Sequence, residues 1–261
     1  MHQREYTFSF WYGVSWKKFY GENGFVVIES VFDSLRCDRA VKIYEKYAMP
    51  DFRGIMNLDR GGRLEYVDKN MDIDPVDAAD VRAMLKNRKI VVALDILQEE
   101  ETVLLQSMFL FKRAGTPYAL QAWNPHQDNA YPQAPHGWYI TGNIAFSDQD
   151  PENGGMYIYP GSHREPILPN KPVKSFHEDV GTNPGHCVEV PEKYKDKKTN
   201  LILKMGSVLF LHGNVVHGSY PNNSKALSRP MLLIPYGTKG ISQQPGFIAG
   251  NIAQRKEMPI R

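Results

Sequence analysis

The chain has 261 residues, of which 42% are hydrophobic and 23% are charged, and this composition is typical of a folded globular protein. Because 31 lysines and arginines are balanced by 29 aspartates and glutamates, the net charge of +2 argues against a dedicated nucleic-acid-binding protein. Two cysteines exclude a disulfide framework, and neither a signal peptide nor a run of roughly 18 apolar residues is recognisable, so we expect a cytoplasmic protein without a membrane span.

The first hundred residues are predicted to be mostly helical. Ser15 and Asp33 are suited to cap helices, and Pro75 is suited to the first position of another. Residues 24–28 are apolar and predict a strand. We therefore expect residues 1–101 to provide helical support plus one strand. The predicted helices cover residues 15–24, 33–48, 74–88 and 90–97.

From residue 102 onward, short β-like runs are separated by glycine, proline and asparagine. Eight such runs predict a sandwich or barrel, and together with the preceding helices they favour a jelly roll over residues 102–236. A polar stretch at 167–200 is predicted to be an insertion loop, and 237–261 a C-terminal tail of the same single domain, 1–261. The predicted strands cover residues 102–112, 118–123, 137–146, 155–160, 201–205, 207–212, 215–220 and 230–236.

One short motif carries metal-binding residue types. His126 and Asp128 are separated by one residue, and on an extended strand such positions point to the same face. A third ligand must come from elsewhere, and His217, near the end of a later predicted strand, is the best candidate. Two histidines and one carboxylate suit ferrous iron and leave positions open for other ligands. By itself, a histidine and an aspartate at this spacing are weak evidence.

Arg229 opens the apolar strand that follows His217. An arginine pointing into a barrel requires an anionic partner, because an unpaired buried charge is costly. A bound carboxylate can provide that partner. An aspartate or glutamate at the rim of the barrel is the alternative.

The ordered motifs around these residues resemble the phytanoyl-CoA dioxygenase family of iron- and 2-oxoglutarate-dependent oxygenases. They span residues 106 to 236, about half the chain, in the order found in the family. The matching segments are 106–112, 125–128 with the histidine and aspartate, 143–146, 152–155 with an asparagine-glycine turn, 160–163, 206–210, 217–219 and Arg229.

The resemblance implies a double-stranded β-helix (cupin-like) fold with Fe(II) on His126, Asp128 and His217. It implies that Arg229 binds the distal carboxylate of 2-oxoglutarate with help from Ser219. Where many members of the family carry a tryptophan beside the cosubstrate, this chain has Asn143, whose amide can hydrogen-bond 2-oxoglutarate or the substrate. His212 is a less favoured distal ligand, because it lacks the Gly-Ser that follows His217. Further residues assigned to the cosubstrate site are Met108 and Gln121.

The implied reaction is the O2-dependent oxidation of a small molecule with release of succinate and CO2. Related halogenases lack the metal-binding carboxylate, so Asp128 favours hydroxylation, or a related oxidation such as desaturation, over halogenation. Tyr131 and Trp138 are candidates for substrate contact, because they lie close to the metal motif in the sequence. Two alternatives stay open: a cupin-like metalloenzyme without 2-oxoglutarate, and a non-catalytic jelly-roll binding module.

Overall fold

The computed structural model describes residues 6–10, 13–47, 55–56, 74–173, 186–240 and 257–261. In these ranges no helix is both long enough and apolar enough to cross a bilayer. The helices are α1 (Gly13–Asn23), α2 (Ser34–Lys46), α3 (Pro75–Leu85), α4 (Arg88–Gln98) and α5 (Glu192–Lys195).

The four helices predicted in the N-terminal part are confirmed, with changes at their ends. The Asp33 carboxylate accepts a hydrogen bond from the Arg36 amide at 2.8 Å and caps α2 as predicted. Helix α1 begins at Gly13, so Ser15 lies inside its first turn and the predicted cap is wrong. Helix α3 ends at Leu85, before residue 88, because Asn87 already caps α4. Residue 48, the predicted end of α2, lies outside the described ranges.

The strands form two main sheets. They are β1 (Thr7–Ser9), β2 (Phe25–Glu29), β3 (Ile55–Met56), β4 (Thr102–Leu104), β5 (Met108–Lys112), β6 (Trp123–His126), β7 (Tyr139–Ala145), β8 (Met156–Ile158), β9 (Asn170–Pro172), β10 (His186–Val188), β11 (Thr199–Asn200), β12 (Val208–His212), β13 (His217–Ser219), β14 (Arg229–Thr238) and β15 (Met258–Pro259).

The larger sheet has nine strands in the order β1-β2-β12-β7-β14-β4-β15, with β5 also paired to β14 and β3 paired to β5. The smaller sheet has the order β11-β8-β13-β6, while β9 and β10 pair separately. The pairs are antiparallel except for β1 with β2. The predicted class, a mainly β jelly-roll core with flanking helices, is confirmed.

Both faces of the larger sheet are buried. Alternate residues such as Val27, Leu209 and Met231 face the smaller sheet and pack with Ile158. The residues between them face the helices and form the largest apolar cluster. There the Tyr44 ring of α2 stacks on the Phe109 ring of β5, with centroids 4.3 Å apart. The helices therefore support one face of the sheet, and the other face is left to line the interior of the barrel.

The strand predicted at 102–112 is two strands, because a bulge interrupts it. Leu104 pairs with Tyr236 and Met108 with Leu233, so three residues on one side face two on the other. Pro235, on the shorter side, has no amide hydrogen to donate, and its carbonyl accepts from the Leu105 amide at 3.0 Å.

Two other predicted strands are wrong. Residues 118–123 begin as a 3-10 turn, Pro117–Leu120, because Pro117 fixes the start of a turn, and the strand follows as β6. Residues 201–205 have the alternating burial of a strand, with Leu201 and Leu203 inside. They form only one isolated bridge, from Leu203 to Gln149, so no ladder develops there.

The segments predicted as loop and tail contain ordered elements. Residues 167–200 carry β9, β10, α5 and β11, although residues 174–185 lie outside the described ranges. From 237 onward, β14 continues to Thr238, and β15 pairs with β4. Ile260 is buried in the larger apolar cluster, so the end of the chain is held by packing and is not a free tail. Residues 241–256 are not described.

Candidate active site

The three predicted metal ligands meet at the end of one strand pair. β6 ends at His126 and is antiparallel to β13, so His217 lies directly opposite His126. Asp128 is not on the strand as expected but is the first residue of the 3-10 turn Asp128–Ala130. The turn is closed by the Tyr131 amide, which donates to the Asp128 carbonyl at 3.2 Å.

The geometry of the three side chains fits a single metal ion. His126 Nε2 and His217 Nε2 each lie 3.6 Å from Asp128 Oδ1. The three ligand-capable atoms are within 4.8 Å of one another, and all three residues are buried. His212 lies apart, against the rings of Tyr20, His136 and His163, so it does not join this group.

Neighbouring groups fix the orientation of each ligand. His126 Nδ1 is 2.7 Å from the Asn124 carbonyl and His217 Nδ1 is 3.1 Å from the Val215 carbonyl. Because a carbonyl can only accept, each Nδ1 carries the hydrogen and each Nε2 keeps its lone pair for a metal. The Thr141 hydroxyl, which the sequence analysis missed, donates to Asp128 Oδ2 at 3.0 Å and leaves Oδ1 facing the histidines.

The protonation states also suit a metal. Burial raises the pKa of Asp128, but the charge of His217 and the hydrogen bonds of His126 and Thr141 outweigh it and lower the pKa to about 2. Burial lowers the pKa of His217 to about 4. At neutral pH Asp128 is therefore an anion and His217 is neutral, as metal binding requires. Two imidazoles and one carboxylate are the donor set that fits ferrous iron.

A pocket lined by two buried basic side chains lies next to this site. Arg229 and Lys112 are directly opposite each other on β14 and β5, and both are fully buried. Among the described residues, Arg229 Nη1 makes one hydrogen bond, to the Met231 sulfur at 3.5 Å, and Arg229 Nε has no hydrogen-bond partner. Within the described ranges no carboxylate pairs with either cation. The rim carboxylate considered for Arg229 is thus not found there, and the guanidinium is able to pair with a bound carboxylate.

Most residues assigned to the cosubstrate face the same interior. Ser219 lies two residues after His217 on β13, and its Oγ accepts from Lys112 Nζ at 2.8 Å. Met108 is on β5, on the face that carries Lys112. Asn143 is buried on β7 two residues from Thr141, and its Oδ1 lacks a hydrogen-bond partner among the described residues.

The other assignments receive less support from the geometry. Gln121 is buried, but its amide donates to the Ala122 carbonyl. Tyr131 is half-buried immediately after the turn of Asp128. Trp138 is 40% exposed on the segment before β7. Trp123, which was not singled out from the sequence, lies near the metal ligands, and its ring centroid is 5.8 Å from that of His126.

Lys112 and Thr141 were missed because their roles depend on strand register. Nothing in the local sequence shows that Lys112 pairs with Arg229 or that Thr141 reaches Asp128. The alternation of β5 and β7 would have placed both side chains inside the barrel, once Leu110 and Ala145 were recognised as interior residues.

The family model described as phytanoyl-CoA dioxygenase (PhyH) matches residues 20–231 of the chain. A phytanoyl-CoA dioxygenase of Arabidopsis thaliana is 30% identical over 163 residues, which cover 60% of this chain and 51% of the relative. The peroxisomal phytanoyl-CoA dioxygenase of Bos taurus is 22% identical over 222 residues, which cover 82% of this chain and 65% of the relative. The chain spans about half the length of most of the curated relatives it matches.

Solved structures with the same fold include enzymes of natural-product biosynthesis. The epimerase SnoN, in complex with Fe3+, alpha ketoglutarate and nogalamycin RO, has a TM-score of 0.66 at 18% identity, covering 95% of this chain and 94% of its own. The alpha-ketoglutarate-dependent carbocyclase SnoK has a TM-score of 0.64 at 18% identity, covering 93% and 92%. The non-heme monooxygenase ThoJ has a TM-score of 0.66 at 16% identity, covering 94% and 87%.

Proposed function

Because the chain belongs to the phytanoyl-CoA dioxygenase family, we propose that it is an Fe(II)- and 2-oxoglutarate-dependent oxygenase that hydroxylates a small molecule. The observation that carries the proposal is the buried group of His126, Asp128 and His217 next to the pocket of Arg229 and Lys112, where no carboxylate of the described residues pairs with either basic side chain. Ser219 connects the metal ligands to the pocket, since it is two residues from His217 and accepts a hydrogen bond from Lys112.

The roles we propose follow from the groups that each side chain offers. The Nε2 lone pairs of the two histidines and Asp128 Oδ1 hold the iron, and Arg229 binds the distal carboxylate of the cosubstrate. The unpartnered Oδ1 of Asn143 is an acceptor in the same interior. With the cosubstrate bound, ferrous iron supplies oxygen activation coupled to decarboxylation of 2-oxoglutarate to succinate and CO2.

The ligand set favours hydroxylation, or a related oxidation such as desaturation, over halogenation. Asp128 supplies the carboxylate, so the metal position that a halogenase gives to a halide is taken. The structurally similar proteins are named as an epimerase, a carbocyclase and a monooxygenase, so this fold accommodates several outcomes. We propose a free small molecule as substrate, with Trp123 and Tyr131 at the pocket, and do not transfer an acyl-CoA substrate from the name of the family.

The test begins with anaerobic addition of Fe(II) and 2-oxoglutarate to the full chain. We expect a weak visible charge-transfer band when the 2-oxo acid chelates the iron. The band should be weakened in Asp128→Ala, which removes a metal ligand, and in Arg229→Gln, which removes the anion partner. A folded wild-type protein that binds iron but forms no band would support the cupin-like alternative, and one that binds no iron would support the binding module.

The type of oxidation is tested with labelled oxygen. Candidate substrates are screened for succinate release, and the product of an accepted substrate is made under 18O2. Hydroxylation predicts one labelled oxygen in the product and one in succinate. A product without label would show that the chain performs another reaction, such as desaturation, epimerisation or ring closure.

A further inference from the structure

Lys112 and Arg229 form a pair of basic side chains that the fold keeps together. They are directly opposite each other in antiparallel register and are 0% and 2% exposed. Opposed like charges destabilise a sheet, and a buried charge without a partner is costly. Within the described ranges no carboxylate offsets them. One cation would suffice to attract a carboxylate, so the second requires its own explanation.

The position of Lys112 is enforced on several sides. Its carbonyl accepts from the Asn222 side-chain amide at 2.9 Å. Its aliphatic stem lies against Gly154, where an added Cβ would be 2.9 Å from Lys112 Cδ. Its ammonium donates to Ser219 Oγ at 2.8 Å and to the Tyr220 carbonyl. The asparagine-glycine turn noted in the sequence therefore provides room for this lysine.

The contact with Ser219 decides what the serine can do. A hydroxyl offers one hydrogen and accepts through its oxygen. Because Lys112 donates to the oxygen, the Ser219 hydrogen is left to donate elsewhere. Ser219 and His217 are at alternate positions of β13, so both side chains point to the same interior face.

We propose that Lys112 is a second cosubstrate-binding cation, an inference that rests on the proposed function. It holds the Ser219 hydroxyl as a donor to the distal carboxylate, and it takes up a proton from solvent when that carboxylate enters. Cosubstrate binding is then linked to protonation of a buried lysine, and the pocket carries its full positive charge only when an anion is present.

The surroundings of Lys112 support this linkage. Burial, followed by the charge of Arg229, lowers the pKa of Lys112 well below its usual range. Arg229 on β14 is the charged neighbour, and the titratable Tyr118 lies close enough to Arg229 to influence it. β13 and the turn at Gly154 contribute neutral groups among the described residues. An incoming carboxylate would reverse the balance, because an opposite charge favours the protonated form.

The experiment is calorimetric titration of 2-oxoglutarate into the Fe(II)-loaded full chain, anaerobically at about pH 8, in two buffers of different ionisation enthalpy. We expect wild type to take up about one proton more per bound molecule than Lys112→Met, because only wild type has the titrating ammonium. Lys112→Met should also bind at least about tenfold more weakly, since a charge-assisted interaction is lost. Ser219→Ala is the matched control: its affinity falls, but its proton uptake persists.

The outcomes separate this inference from the function on which it rests. Equal affinity or equal proton uptake in wild type and Lys112→Met overturns the inference, while the oxygenase proposal stands. If Lys112→Met does not fold, the comparison is made between wild type and Ser219→Ala. Proton uptake close to one in both proteins supports the inference, and absence of proton uptake in wild type overturns it. A wild-type protein that does not bind 2-oxoglutarate overturns both.

Discussion

At the scale of single residues, the candidate site depends on side chains that hold the ligands as much as on the ligands. The sequence alone predicted His126, Asp128 and His217 as residue types, and the structure brings them together. The sequence could not predict the role of Thr141, because a threonine becomes a hydrogen-bond partner of Asp128 only through the strand register that places β7 beside the 3-10 turn. Such supporting hydrogen bonds typically change metal affinity by about 10- to 100-fold.

We therefore expect Thr141→Val to weaken metal binding by roughly 10- to 100-fold. Valine keeps the shape of the side chain but cannot donate to Asp128 Oδ2, so the carboxylate is free to rotate. Competition with a chromogenic chelator measures the affinity for Fe(II) or for a redox-inert substitute. Thr141→Ser, which restores the donor, should recover most of it. Wild-type affinity in Thr141→Val would show that the hydrogen bond does not position Asp128.

At the scale of elements, the sequence predicted helices better than strands. Apolar spacing and caps such as Asp33 are local signals, so α1 to α4 were found. Strand pairing is not local: the break between β4 and β5 depends on Pro235, which lies about 130 residues away in the sequence. The sequence showed Gly206 as part of a motif without revealing why a glycine stands there.

Gly206 is required by a close approach of two backbones. Its φ is +80°, and an added Cβ would lie 2.0 Å from the Phe32 carbonyl oxygen, while its own carbonyl accepts from the amides of Val31 and Phe32. We expect Gly206→Ala to lower the free energy of unfolding by about 2–5 kcal/mol, through backbone strain plus overpacking. The matched control is Gly115→Ala.

Gly115 has nearly the same φ, +77°, with nothing within 4 Å of the added Cβ, so its substitution should cost only about 1–2 kcal/mol. Urea unfolding of both variants measures the difference between them. Equal losses would show that the loop after β2 moves away easily and that the contact with Phe32 does not constrain Gly206.

At the scale of the whole molecule, a buried polar network runs from the metal motif through the turn between β12 and β13 to His212, the last residue of β12. The amide of Gln127 donates to the Asn214 carbonyl at 2.7 Å, and the Asn129 amide donates to Asn214 Oδ1 at 2.9 Å. The backbone amide of Asn214 donates to His212 Nδ1 at 3.0 Å. The residues that flank Asp128 are thus connected to a second histidine cluster, made of His136, His163 and His212.

This second cluster makes stability depend on pH. Burial lowers the pKa of His212 to about 3 and that of His163 to about 4. In the unfolded chain both titrate near 6.5, so below that pH the unfolded state binds more protons and the free energy of unfolding falls as pH decreases. Protonating His212 Nδ1 would also remove the acceptor for the Asn214 amide.

Between about pH 4.5 and 5.5, folded His212 is neutral and unfolded His212 is charged, so it contributes a slope of about 1.4 kcal/mol per pH unit. We expect His212→Asn, whose Oδ1 can replace Nδ1 as acceptor, to reduce the slope by about that amount. Denaturant unfolding of the metal-free chain at several pH values measures the slope. His217 is present in both proteins and contributes equally to their slopes. Identical slopes would mean that His212 is already protonated in the folded protein, and that the Asn214 network opens in acid before the fold is lost.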